Sequence, residues 1–326
     1  MAITINHVTS NNVHSGIFED IFRYFSRYTE GFAEHVVSEK PIIGAHVRHY
    51  HRPHLEDKLI SPCVVTVHHD LDDPDGWLSI DAFLDRYREA DVVICLNTIQ
   101  QKILAKHGIH HTRVVPHGYN QHLIDPARAK GRIKREKFTL AIVSKRYGRK
   151  VKGEAYLFEL AKRLDPSLIE FFLVGDGRAE EGRIFRQLGF NTEVYEKLPY
   201  ATLIDAYRGI DALLMTSYFE GGPANIPEAA AMGVPVLSNP IGMVPDLIDD
   251  GLHGIYLTMD PSIDAETINR LAADEDNIYS DLLHTSQTAS QNLITWQDSI
   301  LGNVKQHVSL LKGSHDSITK ALEATA

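Results

Sequence analysis

The chain has 326 residues, of which 43% are hydrophobic and 23% charged, an ordinary globular composition with room for two domains of ~100–200 residues. Its net charge of −10 disfavours bulk nucleic-acid binding, and it has no run of ~18 apolar residues to cross a membrane as a helix. Cys63 and Cys95 are its two cysteines; they have no zinc-type spacing, and each sits in an apolar run, which suits a buried thiol in a reducing cytoplasm more than a disulfide.

The first residues lack a basic region followed by an apolar one and read as a first strand at 3–7, not a signal peptide. A polar loop through Asn11 and Asn12 follows, then a helix from about Ile17. That helix carries Ile17, Phe18, Ile21, Phe22 and Phe25 on one stripe, a buried face, since no cationic face accompanies it. Short strands are expected at 41–45, 63–67, 91–96 and 113–115. A basic connection follows: residues 126–152 hold eleven Lys or Arg and one acid, Glu136. Strands then recur at 139–143, 170–174, 192–195, 212–216, 234–238 and 254–257, with helices between them, for example over 154–163 and 201–207. After Pro261 the pattern is helical, with Trp296 on an apolar stripe. Alternating strands and helices predict parallel α/β sheets. Ligands of such sheets bind beyond the carboxyl ends of the strands, where the strand order reverses.

Three strand ends carry polar chemistry. Residues 216–236 read TSYFEGGPANIPEAAAMGVPV. Gly221 and Gly222 permit a tight turn with close backbone approach to a ligand. Asn225 is expected to cap the next helix, whose free N–H groups suit a phosphate. Glu220 and Glu228, eight apart, can face one crevice and accept bonds from paired sugar or ribose hydroxyls; Glu228 also has capping-box spacing to Asn225, and Glu220 also reads as a solvated loop residue. Residues 144–153, SKRYGRKVKG, gather cations where a departing diphosphate would develop charge, although a solvated basic loop has the same composition. Residues 171–177, FFLVGDG, are a buried strand ending in a glycine turn.

Together these features resemble the family 4 retaining glycosyltransferases of GT-B architecture, well over residues 114–257 and loosely before them. Arg146 and Lys152 stand six apart, as that family's donor-diphosphate pair does, and Lys152-Gly153 is similar to its "KG". Glu220 and Glu228 match its E-x7-E, the first near the sugar and the second on the ribose. Residues 115–120, VPHGYN, resemble its segment before the interdomain linker. Residues 240–246, PIGMVPD, resemble a loop in which the backbone of residues such as Gly242 and Met243 meets the donor. Leu198, Pro199 and Tyr200 fall where the base is received. The pattern departs from the family in its short N-terminal part, in Gly16 standing alone where a glycine pair is usual, and in Asp246 where Glu is frequent.

Fourteen of the eighteen histidines precede Asp125. Residues 64–70, VVTVHHD, resemble the family's strand ending in a histidine at the reacting sugar, which implies His68 or, second, His69; a strand-end histidine bonded to backbone is the plainer reading. His46, His49, His51 and His54 lie near Asp70, Asp72, Asp73 and Asp75. Strand spacing puts His46 and His49 on opposite faces, so no metal site is expected there. Asp70-Leu71-Asp72 also resembles the manganese-binding DxD of the other main transferase fold, which would leave residues 220–233 unexplained.

The resemblance implies two doubly wound Rossmann-like domains with a C-terminal helical tail packed back on the first. The expected bounds are 1–122 on the acceptor side (Gly16, His68, His69), 123–290 for the donor, and 291–326 for the tail. It implies hexosyl transfer with retention from a UDP- or GDP-sugar to a hydroxyl of a saccharide, lipid-linked or other acceptor. His68, Glu220, Arg146 and Lys152 would be catalytic. Gly153, Leu198, Gly221, Gly222, Glu228, Gly242 and Met243 would complete the donor site. No cofactor or metal is expected, since Arg146 and Lys152 would neutralise the diphosphate. The expected location is cytoplasmic, with the basic stretch able to touch anionic lipid at the inner membrane face. A nucleotide-sugar epimerase, a non-catalytic nucleotide-sugar-binding protein and a nucleic-acid binder using the basic stretch are the competing readings.

Overall fold

A computed structural model describes residues 2–10, 16–125, 131–289 and 291–311. Asn11 and Asn12 of the first loop, Arg128 and Lys130 of the basic stretch, and the tail beyond 311 lie outside the described residues. The chain divides into two units, Met1–Gly118 with Ile294–Ala326, and Tyr119–Leu293. The sequence-based bounds were 122/123 and 290/291, with the tail as a third part; here the C-terminal segment belongs to the first unit.

The first unit runs β1 (Ile3–Val8), α1 (Gly16–Tyr28), β2 (Ala33–Ser38), β3 (Val47–Tyr50), β4 (Cys63–Val67), α2 (Leu84–Glu89), β5 (Val92–Cys95), α3 (Thr98–Lys106) and β6 (Thr112–Val114). Its parallel sheet has the order β2-β1-β3-β4-β5-β6, so the chain reverses direction between β1 and β3. Val8, Val65, Val67, Phe83, Tyr87 and Leu104 form one apolar layer. Ile3, Ile5, Ile21 and Phe25 form another with Trp296, Ile300 and Val304. The latter three come from the C-terminal helix Trp296–Ser309, which a Thr295–Asp298 capping box starts. The expected strand at 41–45 is absent. Ile43 is 84% exposed, so an apolar run there marks a loop, while the strands are AEHVVS and VRHY. All four residues of β3 are buried although two are polar. Arg48 is buried with its guanidinium donating to the carbonyls of Ile42, Ser61 and Ile43. Cys63 and Cys95 are buried free thiols, and burial pushes them up to about 11 and about 12.

The second unit runs β7 (Phe138–Val143), α4 (Glu154–Ala161), β8 (Ile169–Val174), α5 (Ala179–Gln187), β9 (Asn191–Tyr195), α6 (Tyr200–Ala206), β10 (Ala212–Met215), α7 (Asn225–Ala231), β11 (Val236–Ser238), α8 (Val244–Leu247), β12 (Gly254–Tyr256), α9 (Pro261–Ala272) and α10 (Ile278–Thr288); Trp296–Ser309 in the first unit is α11. Every pairing is parallel and the order is β12-β11-β10-β7-β8-β9. The reversal therefore lies between β7 and β10. Apolar layers cover both faces: Phe172, Ile226, Val236 and Val244 on one, Leu140, Leu157, Phe171 and Ile268 on the other. Both sheets are thus doubly wound, and in each the reversal opens a crevice at the carboxyl ends of the two flanking strands.

Candidate functional site

In the second unit, the loops after β7, β10 and β11 meet at the reversal. Gly153, at φ +73°, precedes α4, and a Cβ there would lie 1.9 Å from the Thr216 carbonyl oxygen. Tyr218 N–H donates to Val151 O at 2.8 Å, and Thr216 Oγ1 donates to Lys152 O at 2.8 Å. Gly242, at φ +54°, passes so close that a Cβ would lie 2.7 Å from Glu220 O. These contacts fix the backbone beneath two opposite charges. Lys152 Nζ donates to Glu220 Oε1, which also accepts from Ser217 Oγ at 2.7 Å. Both side chains are only 12% exposed. The Lys152 ammonium also lies 5.4 Å from the centre of the Tyr147 ring.

Arg146 belongs to the same loop but faces acids. Its guanidinium contacts Glu180 and lies 3.3 Å from Glu181 and 3.8 Å from Glu154. Glu154 is buried, and neither of its carboxylate oxygens has a hydrogen-bond partner. Beneath them Arg178, 1% exposed, donates to Ser144 O and Oγ at 2.8 Å each and to Glu181 at 3.2 Å. Sequence reasoning did not single out Arg178, Glu154 or Glu181. Arg178 follows the FFLVGDG glycine turn directly, and that position was its only sequence signal.

Glu228 sits in α7, buried, and accepts from Tyr200 Oη at 2.7 Å. The expected capping box does not form. Asn225 is the first helical residue, behind Ala224, and its amide donates to Val143 O at 3.0 Å, tying α7 to the end of β7. Leu198 packs against the apolar layer beside α6, and Met243 lies within that layer, fully buried. A ligand at Met243 would therefore meet its backbone and not its side chain. Gly221 and Gly222 lie in the loop between β10 and α7. Among the described residues of the basic stretch, three cations after Gly131 are tied to the second unit. Arg132 pairs with Asp211 at 2.9 Å, Arg135 pairs with Glu193 at 2.6 Å and Glu170 at 3.3 Å, and Lys137 donates to Pro166 O.

In the first unit Gly16 opens α1. His68 and His69 follow β4 directly and behave differently. His69 packs on Phe83 with ring centres 4.3 Å apart and its Nε2 is buried without a partner. Burial, then the nearby Arg52 charge, lowers His69 to about 3. His68 is half-buried and joins a group of rings that the sequence gave no reason to connect. Its Nε2 is 2.9 Å from His51 Nδ1. His51 Nε2 is 3.0 Å from His7 Nδ1, and His7 Nε2 is 2.8 Å from His35 Nδ1. His35 Nε2 is 2.8 Å from Thr29 Oγ1. A second branch joins His307 Nε2 to His49 Nδ1 at 3.1 Å and His49 Nε2 to Thr66 Oγ1 at 2.7 Å. Burial first, then the neighbouring rings and Arg52, holds His7, His49, His51, His68 and His307 well below the usual imidazole range. His7, His49 and His51 offer ring nitrogens within 4.8 Å of one another. Both nitrogens of each are engaged by another ring or a hydroxyl, so hydrogen bonding accounts for the cluster. His46 lies apart, accepting from Thr4 N–H at 2.9 Å. The excess of histidine before residue 125 was the one sequence signal of this group.

Residues 137–274 match the family model described as glycosyl transferases group 1. A stretch of 112 residues, 34% of this chain, is 31% identical to an uncharacterized 41.2 kDa protein in the cps region of Klebsiella pneumoniae, and it spans 30% of that protein's length. The fold is that of solved GT-B structures. A glycosyltransferase from Rickettsia africae superposes with a TM-score of 0.71 at 15% identity, over 96% of this chain and 100% of that one. HepE from Anabaena in complex with UDP-glucose gives 0.73 at 16%, over 94% and 100%. Sucrose-phosphate synthase from Thermosynechococcus elongatus gives 0.74 at 15%, over 94% and 99%.

Proposed function

We propose that this protein is a glycosyltransferase that takes a hexose from a UDP- or GDP-sugar, with retention of configuration, and passes it to an acceptor hydroxyl in polysaccharide or glycoconjugate synthesis. The observation that carries this reading is the Lys152–Glu220 pair held on a glycine-built floor at the reversal of the second sheet. A nucleotide sugar needs both partners of that pair: a cation for its diphosphate and a carboxylate for its hydroxyls. In the structure each charge satisfies the other. On donor binding Lys152 turns to a phosphate oxygen and Glu220 to the sugar, so the pair is exchanged and no charge is stranded. Arg146 supplies the second cation once it leaves Glu180. Glu228 takes the ribose with Tyr200 beside it, while Leu198 receives the base and the backbone of Gly242 and Met243 meets the donor. His68 serves the acceptor side. The match of residues 137–274 to group 1 glycosyltransferases and the UDP-glucose bound by HepE support this reading.

Nucleotides are to be screened by thermal shift, and the UDP- and GDP-sugars then assayed for nucleotide release in EDTA. A stabilising UDP or GDP with release that persists in EDTA is expected. Stabilisation by neither, or activity that only manganese restores, overturns the metal-independent transferase. Release without any acceptor, yielding a rearranged sugar, would point to an epimerase instead.

A further inference from the structure

The imidazole series in the first unit follows a geometric rule. One ring comes from, or just beyond, each of four adjacent strands: His35 on β2, His7 on β1, His51 after β3 and His68 after β4. The registers are Ile5 opposite His35, His7 opposite His49, and His49 opposite Val64. Each successive ring therefore stands two residues further along the strands, on the same face of the sheet. Neighbouring strands ~4.8 Å apart bring such diagonal side chains within reach. The ladder climbs from the buried Thr29 to the carboxyl edge of the sheet, where His68 stands.

All three ring-to-ring links join an Nε2 to an Nδ1. A neutral imidazole has one donor and one acceptor, so one fixed proton sets all the others. Thr29 supplies it. Its hydroxyl donates to the Phe25 carbonyl at 2.7 Å, and a carbonyl can only accept. Thr29 Oγ1 must then accept from His35 Nε2–H. His35 Nδ1 accepts from His7 Nε2–H, His7 Nδ1 from His51 Nε2–H, and His51 Nδ1 from His68 Nε2–H. His68 is left with a bare Nδ1, which has no hydrogen-bond partner among the described residues.

We propose that Thr29, His35, His7 and His51 are positioning residues that hold His68 in its Nε2–H tautomer, so that its Nδ1 lone pair accepts a hydrogen bond from a substrate hydroxyl. The tautomer follows from the wire alone; the substrate rests on the glycosyltransferase reading. Burial first, then Arg52, His117, His49 and His69, disfavours a proton on His68, and burial does the same to His51 beside it, which keeps the wire neutral and its polarity defined. The same arrangement explains how a sheet face can bury several imidazoles: each is the partner of the next.

The test is nitrogen NMR of the full chain with 15N-labelled histidine, His68 being assigned by its loss in H68Q. The expected result is a protonated Nε2 and an unprotonated Nδ1 at His68. T29V, which removes the hydroxyl and keeps the shape, should give His68 a mixture of tautomers, and T29S should restore one. H35N, at a half-buried position, should act like T29V if T29V does not fold. A protonated Nδ1 in the native protein, or an unchanged His68 tautomer in T29V and H35N, overturns the wire. So does a stoichiometric metal ion in the purified protein, because an ion on His51 Nε2 would remove its proton. With an active donor in hand, T29V should lower kcat about tenfold, a part of what a correctly protonated acid–base group contributes, with donor KM unchanged and T29S restoring the rate. An unchanged kcat overturns the substrate contact and leaves the wire standing. If no sugar is transferred at all, the enzyme reading fails while the NMR result still decides the wire.

Discussion

Lys152 and Glu220 close an ion pair between the loops that follow β7 and β10, 68 residues apart in the chain and on either side of the sheet reversal. Under the proposed reading this pair opens to a ligand that carries both a negative group and hydroxyls. K152A should cut transfer by about 10²–10³-fold in kcat, the cost of removing one donor from a developing charge. E220Q should lower kcat and leave nucleotide affinity nearly intact, because Glu220 is assigned to the sugar. Steady-state kinetics with the donor varied, beside calorimetry with the bare nucleotide, separates the two. A K152A enzyme with native kcat would remove the cation from the mechanism.

Gly153 tests whether the floor beneath that pair must be this tight. An alanine Cβ would fall 1.9 Å from Thr216 O, at a φ of +73° that L residues rarely adopt. G153A should lose about 1–3 kcal/mol of stability and most of its donor binding, as Lys152 is carried away with the loop. G148A, five residues earlier with open space around it, should behave as the native protein. Urea unfolding and nucleotide thermal shift on both variants give the comparison.

Arg178 is structural. It is 1% exposed and bridges Ser144, in the loop that carries Arg146, to the fully buried Glu181. R178A would leave Glu181 buried with its main partner gone, and should cost about 3–5 kcal/mol. The expected measurement is a lower urea midpoint with an unchanged slope. A loss below about 1 kcal/mol would mean that the acids around Arg146 are held by Arg146 alone.

Acid should unfold the first unit through its histidines. Burial lowers His35 to about 4 and His54 to about 4, and the rings of His7, His49, His51 and His307 go the same way. The unfolded chain, with imidazoles near 6.5, then binds more protons than the folded one between pH 6.5 and about 4. Stability is full above pH 6.5 and falls as pH drops through that window. At about 1.4 kcal/mol per pH unit per ring, one or two rings suffice for a loss of several kcal/mol. Urea midpoints at pH 7.5, 6 and 5 should decrease in that order. H35N should flatten the dependence, and a midpoint independent of pH would contradict neutral burial.

Much of the second unit was legible residue by residue. Its strands are largely apolar runs such as FTLAIV and IEFFLV, and its loops are punctuated by glycines, several at positive φ, which is a local property. In the first unit the strand VRHY is hidden from a binary pattern, which scores Arg and His as exposed and so favours the apolar 41–45.

The sequence by itself determined the alternation of strands and helices, the glycine turn that ends FFLVGDG, and the acid and base types available at the strand ends, because each depends on neighbours within a few residues. Only the tertiary structure decided that Lys152 meets Glu220, that Arg146 faces three acids, that Asn225 ties to β7 instead of capping α7, and that histidines at 7, 35, 51 and 68 form one directed series. Those pairings depend on strand order and register. These are set by how two apolar faces of a sheet are covered at once, and no local stretch of chain records that.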